Sequence, residues 1–334
     1  MSAAHSETPV CIAGTGSYVP EKVLTNADLE KMVATSDEWI VTRTGIRERR
    51  IAADDEFTSH LAAKAAERAL EQAGMEASEI ELIIVATITP DTLTPATACY
   101  VQQKIGALGA VAFDISAACS GYLFAMKIAK RLISDGAFSN AVIIGAEKLS
   151  AFVNWDDRST CVLFGDGAGA AVLKKASSPD EGEILATEVG TDGRQTHLLN
   201  IPGGGSACPI TIENADQRLA TMSMLGKEVF KHAVTRMKQS AELVIERSGL
   251  KPEDIALVVP HQANLRIIDA IAERLDVPYD RVFTNLQKYG NTSAAAVAIA
   301  LDEAHRSGRI KKGDNVVLVA FGAGLTWAAA AVRW

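Results

Sequence analysis

The sequence predicts an α/β protein built as a layered α/β/α/β/α stack from two duplicated halves, residues 1–180 and 181–334. Three observations lead there. Continuous apolar runs such as Leu82–Thr87 and Ala141–Gly145 have the pattern of strands covered on both faces. Segments of helical periodicity lie between them. In Phe57–Ala73, for example, Leu61, Ala65, Ala66, Leu70 and Ala73 share one face, and Gly74 ends the run. The third observation is a repeat. Gly249 and Gly74, Ile255 and Ile80, and Asn315 and Asn140 each stand 175 positions apart, so a helix end and two strand starts recur with one offset. Each half is expected to form a mainly parallel sheet.

In chain order, Val10–Thr15 reads as a buried strand. Gly14-Thr15-Gly16 is not a dinucleotide loop, because no third glycine follows at the required spacing and Pro20 interrupts the helix that would receive a pyrophosphate. Thr35-Ser36-Asp37-Glu38 has the form of a capping box with Thr35 as cap, opening a short helix that runs to Arg43 before Gly45. Arg47, Arg49 and Arg50 fit either a solvated, ion-paired surface or a phosphate-binding rim beside Trp39. A helix over 96–105 follows the Leu82–Thr87 strand and the loop containing Pro90 and Pro95. Phe113–Phe124 then passes from a short strand into a helix that continues to about Ser134. In the second half a helix over 227–247 precedes a strand ending at Pro260. The apolar tract Val316–Val332 is broken by Gly322, Gly324 and Thr326, so it reads as two buried strands rather than a membrane span.

Composition narrows the function. The chain of 334 residues is 48% hydrophobic, enough for a large core, and its net charge of −8 argues against non-specific nucleic-acid binding. Its five cysteines are scattered, with no Cys-x-x-Cys pair and no histidine at metal-ligand spacing, which fits reduced thiols in a cytoplasmic protein and no metal. The first eight residues lack a basic stretch followed by an apolar run, so no signal peptide is expected.

Chemistry concentrates at Cys119. A thiol in the first turn of a helix lies at the positive end of the backbone dipole, which favours the thiolate, and the neighbours Ala117, Ala118, Ser120 and Gly121 are small enough to admit a carbonyl. Alone, such a cysteine reads more readily as a small buried hydrophobe. The repeat supplies partners. Ala86 plus the offset is His261, and Cys119 plus the offset is Ala294, three residues past Asn291. Histidine and asparagine thus fall at strand-to-helix corners on the carboxyl edge of the second sheet, where open α/β folds place ligands. Singly, each fits a loop or cap residue as well.

The segments Asp114-Ile115-Ser116-Ala117-Ala118-Cys119-Ser120-Gly121, His261-Gln262-Ala263-Asn264 and Tyr289-Gly290-Asn291-Thr292-Ser293 carry a resemblance, together with Phe164–Ala170 and Phe321–Trp327. The chain resembles β-ketoacyl-acyl-carrier-protein synthase III, a condensing enzyme of the thiolase fold, with all five motifs in order along nearly its whole length. The resemblance implies a homodimer and a catalytic Cys119, His261 and Asn291, with backbone amides of Cys119 and Ala323 as the oxyanion hole. Many relatives have glycine at the Ala323 position. It implies coenzyme A binding by Thr35, Trp39, Arg43, Arg158, Phe230, Ala263 and Asn264, and docking of an acidic carrier protein on Lys231, Arg266 and Arg274. No cofactor is implied, coenzyme A entering as the substrate thioester, and no membrane is involved. Thr94 stands before Pro95 where short-chain members place a phenylalanine that closes the partner subunit's acyl pocket, so primers longer than acetyl are expected.

The implied reaction is ping-pong. Cys119 takes the acyl group from acyl-CoA. His261 and Asn291 then bind the thioester carbonyl of malonyl-acyl-carrier protein as carbon dioxide leaves, and the carbanion attacks acyl-Cys119, initiating fatty acid synthesis. Rival readings are a same-fold condensing or acyl-transfer enzyme of secondary metabolism with another acceptor, a thiol hydrolase, and a non-catalytic subunit. A hydrolase would want an acidic partner for its histidine, which the motifs lack, and non-catalytic relatives lose the cysteine.

Overall fold

A computed structural model of the chain describes residues 8–334. Residues 1–7, which carry most of the segment read above for a signal peptide, lie outside the described residues. The first sheet comprises β1 (Val10–Tyr18), β2 (Leu82–Ala86), β3 (Val111–Ile115), β4 (Asn140–Glu147) and β5 (Gly167–Lys175), in the order β1-β5-β4-β2-β3. The second comprises β6 (Glu183–Thr191), β7 (Ile255–Pro260), β8 (Asn315–Gly322) and β9 (Thr326–Arg333), in the order β6-β9-β8-β7. The two orders superimpose strand for strand. A single parallel bridge between Val258 and Val282 stands where the second sheet would have its counterpart of β3.

The sheets are mixed rather than mainly parallel. β2 pairs parallel with β3 and β4, and β7 with β8, while β1, β5, β6 and β9 all pair antiparallel. In the second sheet one antiparallel pair is a local hairpin: β8 and β9 are joined by only Ala323-Gly324-Leu325, and a connection that short can only reverse the chain. Buriedness on both faces was a sound inference from the apolar runs, but an apolar run carries no information about strand direction.

Burial defines the layers. Gly121–Ser134 and Ala295–Arg306 are helices lying between the sheets, where Met126, Ala129, Val297 and Leu301 pack against Leu82, Ile84 and Ile143 on one side and Val316, Leu318 and Ala330 on the other. Helices Thr58–Ala73 and Thr97–Ile105 cover the outer face of the first sheet. Gly226–Arg247 and Leu265–Arg274 cover that of the second. The central layer is tight: a Cβ at Gly145 would come within 2.2 Å of the Ala294 carbonyl oxygen, so only glycine allows the helix so close to β4. Gly14 and Gly16 serve the same purpose, packing on the backbone of Thr58–Ala73.

Arg49 corrects both readings of its cluster. It is wholly buried and donates to Leu24 O at 3.1 Å, Asn26 Oδ1 at 2.9 Å and Val162 O at 2.8 Å. It is an internal tie, neither a solvated side chain nor a phosphate rim. The helix cap also moves by one residue: Ser36, not Thr35, accepts from Trp39 N, and the helix runs from Asp37 to Thr44.

Candidate active site

Cys119 lies at the carboxyl edge of the first sheet, in a single 3-10 turn, Ala118–Ser120, that feeds the central helix from Gly121. Ala118 has φ +47, a conformation costly for any residue with a Cβ and most often retained at functional corners. His261 follows the last residue of β7, its N–H donating to Val319 O at 2.8 Å. Asn291 is held by a backbone exchange across the halves: its N–H donates to Leu163 O at 2.8 Å, and its carbonyl accepts from Gly165 N at 3.1 Å. All three side chains line one cavity of about 590 Å³. Corners 142 and 172 residues from Cys119 thereby converge, because the two sheets face each other across the central helix pair and present their carboxyl edges to the same space.

The electrostatics are those of buried, uncharged side chains. Burial pushes the Cys119 thiol up to about 12 despite a favourable Ser293 hydroxyl, so the resting residue is the thiol. The helix terminus does not make it a standing thiolate, and that expectation is corrected: the turn is buried as well as N-terminal, and desolvation outweighs the dipole. Burial also lowers His261 to about 4, so the imidazole is neutral at physiological pH, with Nδ1 buried and unpartnered. The Asn291 Oδ1 accepts from Ser293 N at 2.8 Å, which fixes the amide and leaves its Nδ2 hydrogens for the cavity. Cavity and side chains together offer a thiol, a neutral imidazole and an amide donor.

Behind Cys119 is a second chamber of about 530 Å³ walled by Ile88, Leu149, Leu199, Ile201 and Met222, with Ala323 at its edge. Gly322 presses against Cys119: a Cβ there would lie 2.6 Å from the Cys119 amide nitrogen. Thr326 Oγ1 donates to Ala117 O at 3.0 Å, tying the Ala323 turn to the cysteine corner.

Toward solvent, the first cavity is lined by Phe230, Ala263, Asn264, Trp39, Arg43, Lys231 and Arg266. The guanidinium groups of Arg43 and Arg158 sit 4.7 and 5.0 Å from the centre of the Trp39 ring. Asn264 caps its helix and donates to Arg43 O at 3.1 Å. Thr35 does not line this cavity, and its Oγ1 is buried with no partner among the described residues. Arg274 does not join Lys231 and Arg266. It is exposed at the far end of the helix, roughly 12 Å along the axis from Arg266. Thr94 is exposed and lines neither chamber of its own chain.

Two neighbours escaped sequence reasoning. Glu147, at the end of β4, is fully buried and accepts from Thr87 Oγ1 at 3.1 Å, Ile88 N at 3.1 Å and Thr89 Oγ1 at 2.6 Å. Burial raises its carboxyl to about 7. Ser293, at φ +49, has a buried hydroxyl close enough to favour the ionised forms of both Cys119 and Glu147, yet it completes no regular hydrogen bond. An acidic residue closing an apolar strand at the ligand-binding edge was the available signal for Glu147. The apolar chamber gave none, since its walls come from loops distant in sequence.

Models of 3-oxoacyl-acyl-carrier-protein synthase III match the chain over residues 113–193 and, for the C-terminal part of that enzyme, 245–334. The chain is 55% identical to a β-ketoacyl-acyl-carrier-protein synthase III of Caldanaerobacter subterraneus subsp. tengcongensis, over 97% of each chain. The crystal structure of 3-oxoacyl-acyl-carrier-protein synthase III from Aquifex aeolicus VF5 is 49% identical, with a TM-score of 0.90 over 97% of this chain and 100% of that one. The priming β-ketosynthase of the R1128 polyketide pathway is 36% identical, with a TM-score of 0.89 over 98% of this chain and 97% of that one. With motifs, fold and full-length similarity in agreement, the chain belongs to the β-ketoacyl-acyl-carrier-protein synthase III family of thiolase-fold condensing enzymes.

Proposed function

We propose that the chain condenses an acyl-CoA primer with malonyl-acyl-carrier protein, releasing carbon dioxide and giving the 3-oxoacyl-carrier protein that begins fatty acid synthesis. The observation that carries this reading is the convergence of Cys119, a neutral His261 and an Asn291 whose Oδ1 is already occupied. A neutral imidazole and a fixed amide stabilise an enolate oxygen without charging the site.

In the first half-reaction the Cys119 sulfur attacks the thioester carbonyl as the thiol proton departs, and coenzyme A leaves as its thiol. The oxyanion is met by the Cys119 and Ala323 amides, whose turns are braced through Gly322 and Thr326. The acyl chain enters the apolar second chamber, whose volume of about 530 Å³ exceeds the need of an acetyl group. Coenzyme A lies along Phe230, Ala263 and Asn264, with Thr35 beside the path, its adenine at Trp39 and Arg158 and its phosphate at Arg43. In the second half-reaction Lys231 and Arg266 receive the acidic carrier protein. Arg274, being distant, contributes only a peripheral charge, and Lys231 is partly neutralised by Glu228 at 3.0 Å.

A homodimer is part of the same reading. Strand β3 is at the edge of its sheet, Val111 is 52% exposed, and Leu93 and Leu108 project from neighbouring loops at 90% and 70% exposure. Such an edge is a template for pairing with a second copy. Thr94, exposed in its own chain, would then face the partner's acyl chamber, where its small side chain leaves room for longer primers. Among the described residues no group of three His, Cys, Asp or Glu could hold a metal ion, and no helix is long and apolar enough to cross a membrane. The reaction as drawn needs no cofactor.

The test is intact-protein mass spectrometry after incubation with a series of acyl-CoAs, followed by labelled malonyl-carrier protein. A mass increment on Cys119, absent in Cys119→Ser, followed by release of labelled carbon dioxide, is expected. No adduct would refute the reading, and an adduct without decarboxylation would mean a different acceptor.

A further inference from the structure

We propose that Glu147 holds the proton Cys119 recovers at the end of each condensation and passes it through the Ser293 hydroxyl; the proposal rests on Cys119 being the acyl carrier. Three features of the geometry support it. Glu147 is buried and has no basic partner among the described residues: the next residue, Lys148, sends its Nζ away to the carbonyls of Ala53 at 2.7 Å and Glu56 at 2.8 Å. Its short hydrogen bonds gather on Oε2, and Oε1 receives only Ile88 N at 3.3 Å, which leaves an oxygen able to carry a proton. The Ser293 hydroxyl, 1% exposed and without a regular hydrogen bond, belongs to a residue lining the same chamber as Cys119 and as Ile88, whose N–H donates to this carboxyl.

The chemistry requires such a group. Condensation ends when the acyl carbon–sulfur bond breaks and its electron pair stays on Sγ. A thiol held up to about 12 makes that thiolate a strong base, so at neutral pH the sulfur regains a proton in every cycle. His261 is a poor source. Its imidazole is already neutral, and the remaining N–H is far too weak an acid. No aspartate or glutamate lines either chamber among the described residues, which leaves Glu147 behind Ser293. As the bond breaks, the Ser293 hydroxyl gives its proton to Sγ and takes one from the Glu147 carboxyl. Glu147 is left as a carboxylate, and water restores its proton before the next turnover. In the first half-reaction the thiol proton leaves with coenzyme A, so each cycle consumes one proton as carbon dioxide departs.

Glu147 acts through Ser293 and is therefore a positioning residue, with a pH signature. Its neutral form is lost as pH rises through about 7, so condensation should decline over that range, while His261, lowered to about 4, contributes no change there. The experiment separates the half-reactions: acyl-Cys119 is formed first, checked by intact mass, and then mixed with malonyl-carrier protein across pH 5.5–9, buffer values of about this range bracketing the transition. In Glu147→Gln and Ser293→Ala, acylation should match the wild type, while single-turnover condensation falls about 10²-fold and the decline near neutral pH disappears. Glu147→Asp should restore part of that decline. A wild-type rate and pH profile in folded Ser293→Ala or Glu147→Gln would overturn the proposal. If Glu147→Gln does not fold, Ser293→Ala decides alone, because it leaves the Thr87, Ile88 and Thr89 bonds to Glu147 in place. Failure of the wild type to form acyl-Cys119 would instead defeat the proposed function.

Discussion

Gly322→Ala isolates the contact on which the proposed oxyanion site depends. An added Cβ would stand 2.6 Å from the Cys119 amide nitrogen, 3.0 Å from its Cβ and 3.2 Å from its Cα. Ordinary contact begins near 3.4 Å, so a gap of about 0.8 Å must be opened between two backbone segments. Neither yields easily. Gly322 ends a strand paired on both sides, and Cys119 sits in the buried turn that leads into the central helix. Overpacking of this kind costs about 1–3 kcal/mol, which a domain with so large a core should survive. Activity should suffer far more, since the displaced group is the Cys119 N–H itself, and a misplacement approaching 1 Å at a reacting centre costs about 10²-fold. The assay pairs a urea melt with single-turnover acylation of Cys119 followed by mass. The expected variant is folded, slightly destabilised and slowed about 10²-fold. Wild-type acylation in a folded Gly322→Ala protein would refute the reasoning. Ala323→Gly is the control: it keeps the amide and should stay within a few-fold.

Other consequences follow from the same site. Because the resting thiol is held up to about 12, iodoacetamide should modify Cys119 slowly at pH 7 and ever faster toward pH 10, values of about this span covering ordinary thiol titration; a plateau below pH 8 would mean a resting thiolate. Asn291→Asp should leave acylation intact and abolish carbon dioxide release, because a carboxylate opposes the enolate, and preserved decarboxylation would argue against its assignment. Trp39→Ala should raise the KM for acyl-CoA about tenfold with kcat little changed, while a kcat effect alone would place the ring elsewhere in the cycle. Arg49→Leu strips donors from three buried acceptors and should cost more than about 2 kcal/mol in a urea melt, whereas a neutral result would show that those carbonyls find other partners.

Much of the architecture was written locally. The doubly covered strands announce themselves as unbroken apolar runs, and the 175-residue repeat locates strands that do begin at Asn140 and Asn315. Helices over Thr58–Ala73 and Thr97–Ile105 fall where periodicity and glycine stops place them. Periodicity reports burial and conformation, both properties of short segments, and says nothing about which way a neighbouring strand runs. The mixed pairing was therefore missed, as was the burial of Arg49, whose charged side chain is tolerated inside because Leu24 and Asn26 from one segment and Val162 from another supply it with acceptors.

The site divides along the same line. The sequence alone determined which residue types stand at the strand-to-helix corners: Cys119, His261 and Asn291 in motifs whose order along the chain marks the family. Tertiary structure decided that these corners share one cavity, since only the packing of two sheets on a common helix pair brings residues 142 and 172 positions from Cys119 to its side. It also decided their protonation. Proximity to a helix terminus argued for a thiolate, but desolvation depends on everything that surrounds the turn, and in this fold burial keeps the thiol protonated, the imidazole neutral and Glu147 poised near 7.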